Sequence, residues 1–300
     1  MCVGAGQVTL KRLIYAVCVA LTGAALPADA DPKLQLVTNF LWSENQPWFG
    51  GFSGAEISAD GTVITLLSDR GTLVTADLIR DQGQISDVRL RSHLPLSDIR
   101  NLTGTDVSFD AEGLAIDDQA HAFISLEQDH RVAELDLFTA AIRPLPRHGN
   151  FAGFPQNAGL EALAIGPEGA LYGIPESSDD HDAAFAIYRF KNNGWQIINH
   201  LSRQGPFVPV GADFGPDGLL YLLERAVTPL GFRSRIRRID LAAPRLVPQT
   251  LLSTGPARFD NLEALTLWRD PTGKTRLVMV SDDNFLSIQH SQIVEYILTE

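Results

Sequence analysis

A unit of about fifty residues recurs five times along this chain, and it constrains the fold more than any other feature. Its landmark is an acid set before an apolar pair, in SGAEIS, DAEGLAI, GLEALAI, VGADFG and DNLEALTL, with Glu56, Glu112, Glu161, Asp213 and Glu263 as the acids. Their separations of 56, 49, 52 and 50 residues match propeller blades and exceed most helical repeats. Each unit holds four short strand-like runs. The first reads AEIS, a DG turn, TVITLLSD, GTLVTADL and SDVRLRSHLPL; the third reads LEALAIG, PEG, ALYGIPE, AFAIYRF and WQIINHL. Four short strands with turn residues between them make a propeller blade.

The fifth unit supplies NLEALTLW, TRLVMVSDD and QIVEYILT and stops one strand short, while LQLVTNFLW at 34–42 belongs to no unit. The expectation is therefore an all-β chain, a β-propeller of five four-stranded blades. The N-terminal strand would complete the last blade and remove the bare edges of a broken ring. A sixth blade would need a further hairpin hidden in the 79–108 connection, and an open stack is the remaining alternative.

Residues 1–30 stand apart from the repeat. Lys11 and Arg12 precede an apolar run from Leu13 to Leu26 and then Ala28-Asp29-Ala30, the pattern of a secretory signal peptide cleaved after Ala30. The run of about 14 residues falls short of the roughly 20 that span a bilayer. Residues 31–300 are then one exported domain, periplasmic or secreted, with no integral membrane span. Cys2 and Cys18 both fall in the leader, which excludes disulfides and a thiolate nucleophile from the mature chain. Without Lys11, Arg12 and Asp29 the chain keeps 22 basic and 35 acidic residues, a formal net charge of −13. Such a surface repels nucleic acid and anionic lipid.

The second runs of the units end in Ser68-Asp69, Leu126-Glu127, Pro175-Glu176, Leu223-Glu224 and Ser281-Asp282. In a propeller, the start of a blade's first strand and the end of its second lie at the same mouth. Five pairs of carboxylates are thus expected at one opening, and VSDDNF, Val280–Phe285, would add Asp283. Such crowding is relieved by protonation or by a bound cation. Calcium, or another hard divalent cation, suits an all-oxygen set of Asp, Glu and Asn. The alternative role for any one strand-one acid is a hydrogen bond to a backbone amide of the next blade. The histidines at 93, 121, 130, 148, 181, 200 and 290 show no zinc-ligand spacing. Arg70 and Arg225 directly follow two of the mouth acids, placed either to clamp a phosphate or carboxylate or to pair with neighbouring acids. GFSGA at 51–55 lacks the spacing of a nucleophile elbow. Phosphate loops and dinucleotide fingerprints are absent.

FSGAEIS with SDRG, DAEGLAI, GLEALAI with PE, LLYLLER, and DNLEALTL with VSDDNF resemble the exported phytase-like family, also described as the esterase-like activity of phytase family. The resemblance covers nearly all of residues 31–300, and its closing signature is Asp260-Asn261-Leu262-Glu263, Val280–Phe285 and Gln292. Two acids depart from the family pattern, Glu56 in the first unit and Asp213 in the fourth. The family name implies hydrolysis of phosphomonoesters or related esters. On that reading Glu112, Glu161, Glu263, Asp69, Asp282, Asp283 and Asn284 hold the cation. Arg70 and Arg225 stabilise developing negative charge, Glu176 or Glu224 is the general base, and the partner is a small anionic or ester substrate. A calcium-dependent lactonase or carboxylesterase and a non-catalytic periplasmic binding propeller are the alternatives.

Overall fold

Four consecutive side chains of TRLVMV, Leu277, Val278, Met279 and Val280, are fully buried, and they face two different neighbours in turn. Leu277 and Met279 pack with Val210, Tyr221 and Leu223, whereas Val278 and Val280 pack with Phe52, Ile64 and Leu66. Successive strand residues point to opposite faces, so a strand covered on both sides reads as an unbroken apolar run. The sheet that carries this run is wedged between two others.

The computed structural model describes Met1 and residues 32–96, 110–177 and 184–299. The expected leader from residue 2 onward, both cysteines and His181 lie outside them. Five antiparallel four-stranded sheets form the blades. Blade 1 holds β2 (Phe52–Ile57), β3 (Val63–Ser68), β4 (Thr72–Asp81) and β5 (Gln84–Pro95). Blade 2 holds β6 (Ala111–Ile116), β7 (Ala122–Leu126), β8 (Arg131–Leu135) and β9 (Ile142–Pro144). Blade 3 holds β10 (Ala162–Ile165), β11 (Leu171–Ile174), β12 (Phe185–Lys191) and β13 (Gly194–Leu201). Blade 4 holds β14 (Val208–Phe214), β15 (Leu220–Thr228), β16 (Gly231–Ile239) and β17 (Gln249–Ser253). Blade 5 holds β18 (Asn261–Arg269), β19 (Thr275–Asp282) and β20 (Gln292–Thr299), with β1 (Lys33–Leu41) as its outer strand. The described part of the 79–108 connection is the β4–β5 hairpin of blade 1, and the ring has five blades, not six. A short 3₁₀ turn at Gly149–Gly153 is the sole helical element among the described residues. Among the described residues no helix is long and apolar enough to cross a membrane.

The ring closes as the orphan strand implied. β1 runs antiparallel to β20, from Lys33 opposite Thr299 to Leu41 opposite Gln292. Side chains lock the closing blade to the first. Glu295 on β20 is fully buried; it accepts two hydrogen bonds from Arg80 of blade 1, at 2.7 and 2.8 Å, one from Arg276 at 2.9 Å and one from the Trp268 indole at 3.2 Å. Asp270 balances the second arginine, taking a hydrogen bond from Arg276 Nε at 2.9 Å. The Thr38 hydroxyl accepts the Ile85 amide at 3.1 Å, which ties β1 to β5.

The core comprises five wedges, one between each pair of neighbouring blades. At the axis the inner strands interlock through glycine. A Cβ on Gly54 would stand 2.7 Å from the Leu114 amide nitrogen, and one on Gly113 would stand 2.8 Å from the Glu161 carbonyl. The void left between Ser53, Gly113, Glu161, Gly211 and Ala264 is about 10 Å³, room for one water at most. The axis is therefore filled, and its two ends are separate sites.

Starting the chain near residue 45 removes β1 and bares β20, and the expected outcome is aggregation through that edge. Glu295→Gln leaves Arg80 and Arg276, both half-buried, with Asp270 as their one remaining counter-ion. The cost is about 3–5 kcal/mol, read as a fall in melting temperature of roughly 6–20 °C. A truncated chain that melts with the full one would show that β1 does not close the ring.

Candidate functional site

Strand register settles which acids share the mouth. Gly54 pairs with Leu67, Ala162 with Ile174, Gly211 with Leu223 and Ala264 with Val280. In blade 2 the Gly113 amide donates to the Ser125 hydroxyl at 2.8 Å, which marks the same level. The residue before each small one occupies the mouth position of the inner strand: Ser53, Glu112, Glu161, Val210 and Glu263. Two residues beyond each partner lie Asp69, Glu127, Glu176, Arg225 and Asp282. Blade 4 thus contributes no carboxylate at either position and puts Arg225 where the others carry an acid.

This arrangement corrects the expected ten-carboxylate mouth. Glu56 and Asp213 sit three residues farther along their inner strands, about 10 Å toward the opposite end. There they stitch blades together. Glu56 accepts the Ile116 amide at 3.0 Å and the Thr266 hydroxyl at 3.3 Å, and Asp213 accepts the Leu267 amide at 2.6 Å. Burial raises the pKa of both, Asp213 to about 7. Glu224 is displaced by a single residue, which turns a strand side chain to the other face. It is fully buried inside blade 4, accepting from Arg235 Nε at 2.5 Å and from Arg237.

The two aspartates of VSDDNF separate in the same way. Asp282 faces the mouth, 6% exposed, beside Glu263 and Asp69. Asp283 turns into its own loop, where Oδ1 accepts the Gly51 amide at 2.9 Å and the Phe285 amide at 3.1 Å, and Oδ2 accepts the Ser291 hydroxyl at 3.0 Å. Asn284 is exposed and its side chain donates to Gln289 at 3.2 Å. Asp260 braces that loop by accepting from the Gln289 side chain and the His290 amide, each at 2.9 Å.

Arg225 bridges the acids across the mouth. It donates to Glu176 at 3.0 Å, to Asn261 at 3.0 Å and to Glu263. Burial opposes its charge, but Glu263, Glu161 and Glu176 outweigh burial and raise its pKa. Arg70 is exposed, and its Cζ lies 3.3 Å over the Phe285 ring. One guanidinium cannot neutralise the remaining acids. Burial, then Glu263, Glu127 and Asp110, hold the Glu112 carboxyl well above the usual range. Burial, Glu176 and Glu112 do the same for Glu161. Glu127 is pushed to about 7 by burial and Asp110, Asp282 to about 8 by burial and Glu263, and Asp69 to about 6 mainly by burial. Burial also raises Glu263, against the pull of Arg225.

Two carboxylate groups have the spacing of a cation site. Oxygens of Asp110, Glu112 and Glu127 lie within 4.8 Å of one another, and so do oxygens of Glu127, Glu161 and Glu176. Glu127 belongs to both. An all-oxygen donor set of this charge suits a hard divalent cation, whose ligands sit at about 2.3–2.6 Å for calcium. Of the ligands expected from sequence, Glu112 and Glu161 are in these groups. Asp69, Glu263 and Asp282 adjoin them, and Asp283 and Asn284 serve the loop. Asp110 was missed, although its place two residues before Glu112 on an extended segment puts both on one face.

Comparison with known proteins agrees with the fold. The model of a family described as Phytase-like, esterase-like activity of phytase, matches residues 47–285. No curated protein matches the chain. Among solved structures, the PQQ-bound aldose sugar dehydrogenase of Streptomyces coelicolor superposes with a TM-score of 0.52 at 12% identity, covering 90% of this chain and 99% of that one. The calcium-binding protein regucalcin of Agrobacterium tumefaciens has a TM-score of 0.47 at 11% identity, with 82% and 90% covered. Virginiamycin B lyase of Staphylococcus aureus has 0.44 at 13%, with 90% and 100% covered.

Mouth acids with raised pKa give a pH signature. Between the unfolded value near 4 and the folded values of about 7 for Glu127 and 8 for Asp282, the folded state binds more protons, so stability falls as pH rises through that window. Metal-free protein is expected to lose at least ~5 °C of melting temperature from pH 5 to pH 8. Asp282→Asn flattens that slope, whereas Glu224→Gln strands Arg235 and Arg237 and lowers stability by about 3–5 kcal/mol at either pH. A pH-independent melting curve for the metal-free wild type would contradict the assignment of mouth acids.

Proposed function

The chain belongs to this phytase-like family, and on that premise we propose that it is an exported, cation-dependent hydrolase of phosphomonoesters or related esters, working at the acidic mouth. The observation that carries the reading is the pair of carboxylate groups joined at Glu127. Buried and half-buried carboxylates at this spacing cannot all ionise alone, and an oxygen-rich site relieves the repulsion by taking up a hard cation.

Asp110, Glu112, Glu127, Glu161 and Glu176 would hold the cation, with calcium the best match to their number and irregular arrangement. When bound, it would supply positive charge for an anionic substrate, polarisation of the ester oxygen and a water of lowered pKa. Arg225 fixes Glu176 and Glu263 by its hydrogen bonds, a holding role in place of substrate contact. Proton transfer falls to a carboxyl beside the two groups, Asp69 or Asp282, since Glu224 is committed to Arg235 and Arg237. Substrate enters and leaves by the same end, because the axial void of about 10 Å³ passes nothing.

Purified protein lacking residues 1–30 is expected to hydrolyse 4-nitrophenyl phosphate with calcium and to stop with chelator. Turnover of 4-nitrophenyl acetate alone would favour the carboxylesterase reading; turnover of neither, with calcium still bound, would favour the binding propeller. Calcium at a hundredfold excess over its dissociation constant stabilises by about 2.7 kcal/mol, several degrees of melting temperature, and Glu161→Gln should abolish that shift. Silence towards calcium, magnesium and manganese would refute the cation site. For export, the intact mass of protein recovered from periplasm or medium is expected to begin at Asp31, and a retained leader would overturn that expectation.

A further inference from the structure

We propose that Phe285 is a positioning residue that presents the Arg70 guanidinium as the anion-recognition group of the mouth, so that the substrate class is one bearing a phosphate or carboxylate next to the reacting bond. This rests on the acidic mouth being the binding site. The two arginines there are used differently. Arg225 is occupied by Glu176, Glu263 and Asn261. Arg70 follows a mouth acid directly and is exposed, yet its guanidinium forms no ion pair among the described residues and lies over an aromatic ring, 3.3 Å from Cζ to the centroid, too close for any but a face-on stack without its nitrogens striking the ring. A guanidinium stacked by its face keeps its N–H edges free in the plane, and those edges match a phosphate or carboxylate bidentately.

Three segments converge to build this arrangement. Asn284 and Phe285 adopt φ of +49° and +51°, left-handed backbone that an aromatic residue takes only under constraint from its surroundings. The constraint is visible: the Asn284 amide donates to Asp282 at 2.6 Å, and Asp283 Oδ1 gathers the Phe285 and Gly51 amides. Gly51, at φ +64°, is the other half of the device. A Cβ there would collide with Phe285 Cε2 and with Asp69 Oδ1, so glycine alone admits the ring beside the mouth carboxylate. The second aspartate of VSDDNF therefore acts through Phe285, as the clamp that fixes the platform under Arg70. A neutral ester would leave the device unused, whereas an anion is gripped between Arg70 and a cation-loaded mouth.

The test uses inorganic phosphate as probe, titrated calorimetrically into calcium-loaded protein, with the calcium-induced melting shift recorded for each variant. Arg70→Gln and Phe285→Leu are each expected to weaken phosphate binding roughly 5–30-fold, the scale of one cation–π or charged contact. The double variant should bind no more weakly than Arg70→Gln, because the two residues act as a unit, and Phe285→Trp should restore binding. The calcium shift should be the same in all. Additive losses, or wild-type binding by Phe285→Leu, would overturn the positioning role. A wild type that responds to calcium but ignores phosphate would overturn the anion inference and leave the cation site standing. Arg70-dependent phosphate binding without any calcium response would support this inference and remove the cation reading.

Discussion

Closure of the ring by the β1–β20 ladder is the interaction on which everything else depends. Each blade buries both faces against neighbours, so no blade has a core of its own, and an open ring would leave one apolar wedge and two strand edges in water. The ladder joins the two ends of the domain in sequence, and Glu295 with Arg80, Arg276 and Trp268 welds the closing blade to the first through buried charge. Buried ion pairs cost desolvation and stabilise only when fully hydrogen-bonded. This one is, with two arginines matched by Glu295 and Asp270.

Closing five blades tightly has an electrostatic consequence. Glycine and alanine on the inner strands let the backbones approach until the axis is filled, and the acids at the strand ends are drawn together on top of that plug. Their repulsion is a strongly unfavourable feature of the fold, and it is concentrated at the mouth. Blade 4 moderates it by breaking the repeat, with Val210 and Arg225 in place of two acids. Sites commonly depart from local consistency in this way while the rest of the chain obeys it.

The acids at the opposite end follow a different logic. Glu56 and Asp213 spend their oxygens on amides of the neighbouring blade, so they act as staples between inner strands. The same residue type therefore staples blades at one end of the axis and crowds together as the proposed cation site at the other, and only the position along the strand tells them apart.

Blade number, strand order and the closing strand were legible in the sequence, because a fifty-residue period, turn residues and an orphan strand each reflect local rules that hold whatever the chain's partners. Glu112, Glu161, Glu263, Asp69, Glu127, Glu176 and Asp282 were legible as mouth residues for the same reason. What the sequence could not decide was register and facing. Bulges between Phe52 and Gly54, Pro209 and Gly211, and Leu262 and Ala264 shift the inner strands against their partners, so an acid three residues along looks like a repeat landmark until hydrogen bonds place it at the far end. A shift of one residue sends Glu224 into the blade and Arg225 into the mouth. Likewise, adjacent Asp282 and Asp283 are equal in the sequence; the turn that follows them, fixed by the Phe285 amide within it and by the Gly51 amide from blade 1, aims one at the site and the other at the backbone. Bulged registers within a blade, together with hydrogen bonds between blades such as Gly51 to Asp283, Ile116 to Glu56 and Leu267 to Asp213, set those directions, and the latter exist only once neighbouring blades have packed.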